Sequence, residues 1–392
     1  MERAIDMTML RFMTAGESHG PELTAILEGL PAGVRLDKEA IDRELRRRQQ
    51  GYGRGGRMKI ERDHVEVTSG VRFGETLGGP ITLQVVNRDF ANWNERMAAF
   101  GEPAGPKVTA ARPGHADLTG GKKYDRADVR DILERSSARE TTMRVAVGAV
   151  CKEFLCQLDI DIVSQVTEIG GVAINPAHVD KAKLGTDVGS ELNCYDAEAE
   201  QAMKKAIDEA KAAGDTLGGT FEVIVRGVPA GLGSHIQWDR RLDAKLAAAM
   251  MSIQAIKGVE IGAGFACAHL PGSQIHDEMY LDEAGHIYRK TNRAGGLEGG
   301  MSNGEDIVVR AAMKPIPTLM QPLHTVDIAT KEPVLASKER SDTCAVAAAS
   351  VVGEAMAAFT IAAAICDKFG SDAMIDLQKS YYGYKERLAE EW

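Results

Sequence analysis

The sequence predicts an α+β fold, a single large domain built as a pseudo-twofold sandwich. Three observations carry that expectation. A segment recurs at fixed spacing: AGESHGPELTAILEGLPAGV from Ala15 is echoed by AGDTLGGTFEVIVRGVPAGL from Ala213. Gly16, Gly20, Gly29, Pro31 and Gly33 reappear 198 positions on as Gly214, Gly218, Gly227, Pro229 and Gly231, the mark of an internal repeat. The β-rich runs do not alternate regularly with helical ones, which argues against a doubly wound parallel sheet. The most apolar stretch, 345–366, is mostly Ala and carries Ser350, Gly353 and Glu354, a composition that suits a helix enclosed by protein better than a membrane span.

The elements follow in order. The start, MERAIDMTMLRF, has acidic residues and no apolar run, so it does not read as a signal peptide. After the first repeat copy a helical pattern runs from Leu36 to Arg48, and after the second copy one runs over 242–256. A shorter echo precedes two further β runs: Thr76-Leu77-Gly78 before ITLQVV, and Ser302-Asn303-Gly304 before DIVVRA. Strands are expected at 65–73, 81–87, 220–226 and 305–313, and helices at 138–157, 196–213, 242–256, 343–367 and 373–389. The stretches 49–58, 101–122 and 286–304 are rich in Gly and polar residues, and long loops in a compact domain are often functional. The halves are set at about 11–200 and 201–345, with C-terminal helices over 343–392, all inside one domain spanning 1–392. Each half has one sheet face to bury, and shared helices could cover both.

With 44% apolar and 27% charged residues among 392, the chain has a globular composition, and disorder as the dominant state is excluded. Lys and Arg number 47 against 57 Asp and Glu, a net charge of −10. Such a chain is a poor general binder of nucleic acid or anionic membrane. Cys151, Cys156, Cys194, Cys267, Cys344 and Cys366 form no C-x-x-C pair, which reads as free thiols in a reducing, cytoplasmic setting. No His, Cys or carboxylate cluster has metal-ligand spacing.

Chemistry concentrates in turns. Arg46, Arg47 and Arg48 end a helix and run into Gly51-Tyr52-Gly53-Arg54-Gly55-Gly56-Arg57. Cations at a helix C-terminus suit the macrodipole, but that does not account for Arg54 and Arg57, whose guanidinium forks among glycines match phosphate or carboxylate. Gly16-Glu17-Ser18-His19-Gly20 fits the G-x-S-x-G pattern of a hydrolase elbow. That elbow needs a following helix, whereas Pro21 and LTAIL here read as turn and strand. His19 has no counterpart in the repeat, where Leu217 stands, so it is a candidate proton donor. Arg112-Pro113-Gly114-His115 brings a cation and an imidazole together by a turn, although a surface histidine without a role reads equally well there. In Glu134-Arg135-Ser136-Ser137-Ala138-Arg139-Glu140, Ser136 or Ser137 with Glu140 forms a capping box. Arg139 and Arg144 sit in first turns where the dipole disfavours cations, which points to an anion. Lys314-Pro315-Ile316-Pro317-Thr318 and Lys338-Glu339-Arg340-Ser341-Asp342 add more of the same, with Ser341 or Asp342 as the cap of the Ala-rich helix. The whole describes a small polyanionic substrate and a proton-transfer or elimination step. A Ser18 hydrolase and an RNA-binding protein using Arg43 to Arg62 are the competing readings.

GESHG, RRRQQGYGRGGRM, RPGHAD, RSSARETTMR, SIQAIKG, GGLEGGMSNGEDIVVRAAMKPIPT and ERSDTC stand in this order between residues 11 and about 345, and together they resemble the signature blocks of chorismate synthases. The resemblance implies a single-domain β-α-β sandwich, assembled as a homotetramer. It implies conversion of 5-enolpyruvylshikimate 3-phosphate to chorismate and phosphate by anti 1,4-elimination, with reduced FMN. FMN contacts fall by resemblance on Arg135, Ser136, Ser137, Gln254, Ala255, Gly299, Lys314, Pro315, Ile316, Pro317, Thr318 and Arg340. Substrate contacts fall on Ser18, Arg48, Arg54, Arg57, Arg112, Arg139 and Arg144. Arg48 and Arg54 are also the positions to which NADPH is attributed, and an external flavin reductase is the alternative source of electrons. His19, His115 and Asp342 are the implied acid–base groups. Gln49 stands where some relatives continue with Arg-Pro, so the register leaves Arg47 as an alternative to Arg48.

Overall fold

In the computed structural model, residues 10–56, 60–338 and 341–391 are described. Two antiparallel sheets form the outer layers. The first contains β1 (Arg11–Ala15), β2 (Glu22–Glu28), β3 (Glu66–Ser69) and β4 (Ile81–Val86) in the order β1-β2-β4-β3. The second contains β5 (Asp161–Ile169), β6 (Val172–Ala173), β7 (Gly219–Arg226), β8 (Ile256–Ile261) and β9 (Ile307–Met313) in the order β8-β9-β7-β5-β6. The longer helices are α1 (Lys38–Gln49), α2 (Asp117–Tyr124), α3 (Arg130–Ser136), α4 (Thr141–Cys156), α5 (Ala197–Ala212), α6 (Leu242–Met251), α7 (Val346–Phe369) and α8 (Met374–Glu391).

Strand alternation supplies the apolar faces. Leu23, Ala25 and Leu27 of β2 and Ile81, Leu83 and Val85 of β4 are buried on the inner side of the first sheet. Phe221, Val223 and Val225 of β7 and Ile307, Val309 and Ala311 of β9 do the same for the second. Between them lie α4, which packs on β2 and β4, and α7, which packs on β5 and β7. One continuous core joins both sheets through these helices. At Gly148 of α4 a Cβ would run into the Cβ and Cα of Ala355 in α7, so the two helix axes approach more closely than side chains would permit. α7 is 94% buried over its most apolar window; it is the enclosed central helix its Ala content predicts.

The repeat is visible in the hydrogen bonds. The Thr76 hydroxyl donates to Pro31 O at 2.5 Å and accepts from the Val34 N–H at 2.9 Å. Ser302 donates to Pro229 O at 2.7 Å and accepts from the Leu232 N–H at 2.8 Å. Gly33 and Gly231 occupy the same left-handed conformation, φ +86° and +92°, which a side chain disfavours. So the short [ST]-x-G echo is the partner of the long one.

Several expectations are corrected. Strand β5 is absent from the sequence reading because Ile162, Val163, Ser164, Gln165 and Val166 are all buried and no alternation shows. It pairs with β7, so the second sheet begins before residue 200. The helix expected over 242–256 ends at Met251, because Ala255 turns left-handed at φ +67° and β8 starts at Ile256. Helix α2 lies at the end of the 101–122 segment read as a loop. The capping box does not form: Ser137 accepts the Arg139 N–H at 3.2 Å, whereas Glu140 accepts from the Thr14 hydroxyl at 2.8 Å. Neither Ser341 nor Asp342 caps α7, which starts at Val346 behind Ala345 with no side-chain cap.

Candidate active site

The GESHG segment forms the turn between β1 and β2, and a strand, not a helix, follows it. That removes the hydrolase elbow. The turn is held from outside by Glu134 of α3. Its main-chain carbonyl accepts the Ser18 N–H at 3.1 Å, and its carboxylate takes the His19 N–H at 2.8 Å and His19 Nδ1 at 3.0 Å. The His19 ring lies on Trp93, with centroids 4.2 Å apart. Burial alone would raise the Glu134 pKa, but the His19 and Arg130 interactions outweigh it and hold the carboxyl below its usual range.

Arginines then link one turn to the next. Arg135 donates to Thr14 O at 2.7 Å and to Gly16 O at 3.2 Å. Arg139 is buried, with Nε on Asn87 at 2.9 Å and Nη1 on Asp63 at 2.7 Å. Asn87 in turn donates to Gly20 O at 2.8 Å. Arg48 shares Asp63 at 3.0 Å. Burial pushes the Arg48 pKa down to about 10 although Asp63 opposes it, and Arg139 and Arg54 add repulsion. Arg47 turns elsewhere, to Glu354 at 2.8 Å, so of the two registers it is Arg48 that joins this cluster. The 51–56 loop docks on the start of α7: Arg54 pairs with Asp342 at 2.9 Å, and the Gly55 N–H donates to the same carboxylate at 2.6 Å.

A second knot surrounds the other imidazole. His115 Nδ1 lies 2.5 Å from Asp117, which also accepts from Arg112 Nε at 2.9 Å. Arg112 Nη1 donates to the Thr318 hydroxyl at 3.0 Å, and Lys314 Nζ donates to Gly114 O. The Ile316 carbonyl accepts from the Thr216 hydroxyl at 2.8 Å, and Pro317 lies against Gly114. The Lys314 N–H donates to Ala255 O at 2.9 Å, and Gln254 Nε2 donates to Glu140 at 3.1 Å. That chain of contacts joins the knot to a cleft of about 470 Å³ lined by Thr14, Arg135, Glu140, Arg144, Ser252 and Gln254.

Most of the expected residues thus share one connected region. The hydroxyls of Ser136 and Ser137 are engaged with local backbone, Ser136 with Ile132 O at 2.9 Å and Ser137 with the Arg139 N–H. Gly299 is not brought in: its hairpin lies at the Ile307 end of β9, beside His235, whereas Lys314 to Thr318 leave the Met313 end. Arg57 and Arg340 lie outside the described residues. The sequence reading missed Glu134, Asp117, Asp63 and Glu140, whose carboxylates order the cations. Their signal was charge balance: so many convergent arginines require buried acids between them.

Fold and site define an α+β sandwich enzyme in which a cleft lined by Arg135 and Arg144 is joined by hydrogen bonds to further cations and to two carboxylate-backed imidazoles. The family model for chorismate synthase matches residues 10–366. The chain is 58% identical over 388 residues to a chorismate synthase of Geobacter sulfurreducens, covering 96% of this chain and 99% of that one. It is 57% identical to the chorismate synthase of Geobacter metallireducens, covering 97% and 99%. A crystal structure of chorismate synthase superposes with a TM-score of 0.78 at 45% identity, covering 97% of this chain and 98% of the other. The chain belongs to the chorismate synthase family.

Proposed function

We propose that this enzyme converts 5-enolpyruvylshikimate 3-phosphate to chorismate and phosphate by an anti 1,4-elimination dependent on reduced FMN, in the route to aromatic amino acids. The observation that carries the reading is the hydrogen-bonded network that ties Arg135 and Arg144 of the cleft to Lys314, Arg112 and His115 on one side and to the His19 turn on the other. The substrate bears a phosphate and two carboxylates, about −4 in charge near neutral pH, and such a set of cations offsets it.

The residues present suit a flavin mononucleotide. Gln254 has a buried Oε1 with no partner among the described residues, an acceptor suited to a ring N–H, and Arg135 and Lys314 supply charge for a phosphate. Gln254, Ala255, Arg135 and the Lys314–Thr318 segment would hold it. When bound, reduced FMN supplies the electron density that eases departure of an allylic phosphate. His115, beside Arg112, protonates or stabilises the leaving phosphate. His19 keeps a proton available at its ring, and Asp342 assists removal of the proton at C6. Arg48 is 4% exposed and Arg54 is paired with Asp342, which favours an external flavin reductase over NADPH bound at these two residues. Exposed Phe265, Met279 and Leu281 support a homotetramer, and free thiols at all six cysteines support a cytoplasmic enzyme.

The test is chorismate formation under anaerobic, reducing conditions. His19→Ala and His115→Ala should each lower turnover by about 10²-fold or more while FMN still binds in the presence of substrate. Near-native turnover in both would defeat the assignment.

A further inference from the structure

We propose that Glu134 is the positioning residue for His19: as a carboxylate it fixes the imidazole with a proton on Nδ1, so that Nε2 is the nitrogen that exchanges a proton during turnover. The inference rests on the reading of His19 as an acid–base group. Its own support is geometric. Three donors converge on one buried carboxylate: the His19 main-chain N–H at 2.8 Å, His19 Nδ1 at 3.0 Å from both oxygens, and Arg130 Nη1 at 2.9 Å. An ionised carboxylate only accepts hydrogen bonds, so a ring nitrogen placed between its two oxygens must carry the hydrogen. Arg130 and the amide N–H supply positive charge and a dipole that keep the group ionised.

The ring plane is fixed as well. His19 rests on Trp93 at 4.2 Å, and Arg130 lies over the same indole at 5.0 Å. Because the Glu134 carbonyl also takes the Ser18 N–H at 3.1 Å, one residue of α3 sets both Ser18 and His19. The second imidazole also has a carboxylate at Nδ1: His115 meets Asp117, and Arg112 holds that carboxylate through Nε and Nη2, with Nη2 also 3.1 Å from His115 Nδ1. Two unrelated turns with the same His–carboxylate–Arg arrangement are hard to attribute to packing alone.

Glu134→Gln is the discriminating variant. It keeps the volume but offers one acceptor oxygen and an NH2 group to three donors. Either Arg130 loses its acceptor on residue 134, or the amide NH2 faces Nδ1 and drives the ring to the opposite tautomer. In uniformly 15N-histidine-labelled full-length protein near neutral pH, with the His19 signals assigned by their loss in His19→Asn, the wild type should show a protonated Nδ1. Glu134→Gln should lose or shift that signal and lower kcat by roughly 10²-fold, with KM changed by less than about threefold. A wild-type ring protonated only on Nε2 would overturn the proposal without any variant having to fold. So would Glu134→Gln with native kcat and an unchanged spectrum. Near-native turnover in His19→Ala would instead sink the role given to His19, while the tautomer measurement would still decide this one.

Discussion

Arg47 and Arg48 are neighbours in α1, yet Arg47 pairs with Glu354 at 2.8 Å and Arg48 with Asp63 at 3.0 Å. The first pair anchors the helix end in the central layer, where Glu354 of α7 also takes Lys152 at 2.7 Å and the Ser164 hydroxyl at 2.6 Å. The second directs its guanidinium toward the arginine cluster. One helix terminus therefore links the core to the site.

Removing Glu354 should be costly. Burial by itself would raise its pKa, but Lys152 and Arg47 outweigh that and hold it well below the usual carboxylate range. Glu354→Ala removes the buried one of the two carboxylates that half-buried Arg47 and Lys152 share, leaving them Glu44. Such a break costs about 3–5 kcal/mol, so urea denaturation should show a loss of that size. A loss under about 1 kcal/mol would mean that water reaches the pair and the cluster is not dry.

Asp342 holds both Arg54 and the Gly55 N–H, so its charge and its shape can be separated. Asp342→Asn retains an oxygen for Gly55 and removes the negative charge. Turnover should fall by at least about 10²-fold if the group helps move the C6 proton, with little change in KM. Asp342→Ala removes both contacts; KM should rise, and the 51–56 loop should become more sensitive to protease. Equal kinetics for the two variants would reduce Asp342 to a loop clamp.

Acid stability follows from the buried carboxylates. For Asp63, burial raises the pKa, but Arg48 and Arg139 more than offset it and hold it below 3.8. Asp117 is lowered too, His115 and Arg112 overcoming its burial. A depressed folded-state pKa contributes stability that is present above the unfolded value and lost as pH falls through the folded one. Stability should therefore decline steeply only below about pH 4. Asp63→Asn should flatten that decline and lower stability at neutral pH, where Arg48 and Arg139 lose their common partner. A Asp63→Asn stability–pH curve parallel to wild type between about pH 2 and 5 would contradict this.

The parts of the molecule written in local pattern were legible, and the parts set by long-range pairing were not. Gly33 and Gly231 betray the repeat because a left-handed turn demands glycine at both positions. β2, β4, β7 and β9 show alternation because each has one face on the core. β5 hides because the 176–195 segment covers its outer face through Leu184, leaving no polar side to read. At the site, the cations stood out in glycine-rich turns. Glu134 and Asp63 did not, because nothing near them in sequence reveals a partner 115 or 76 positions away.

The close crossing of α4 and α7 gives a last test, because it holds Arg144 on one helix and Glu354 on the other in register. In Gly148→Ala the new methyl meets Ala355 well inside van der Waals contact, and the helices must move apart. Helix propensity would favour the change by about 1 kcal/mol, yet overpacking of a tight core costs about 1–3 kcal/mol, so the variant should be destabilised overall. Ala355→Gly alone loses propensity and opens a gap of one methyl. Combined, the two substitutions exchange the methyl across the same contact. The double variant should be more stable than the sum of the singles by at least about 1 kcal/mol, a coupling readable from a double-mutant cycle in urea. Additive losses would place the helices farther apart than the Gly148–Ala355 contact requires.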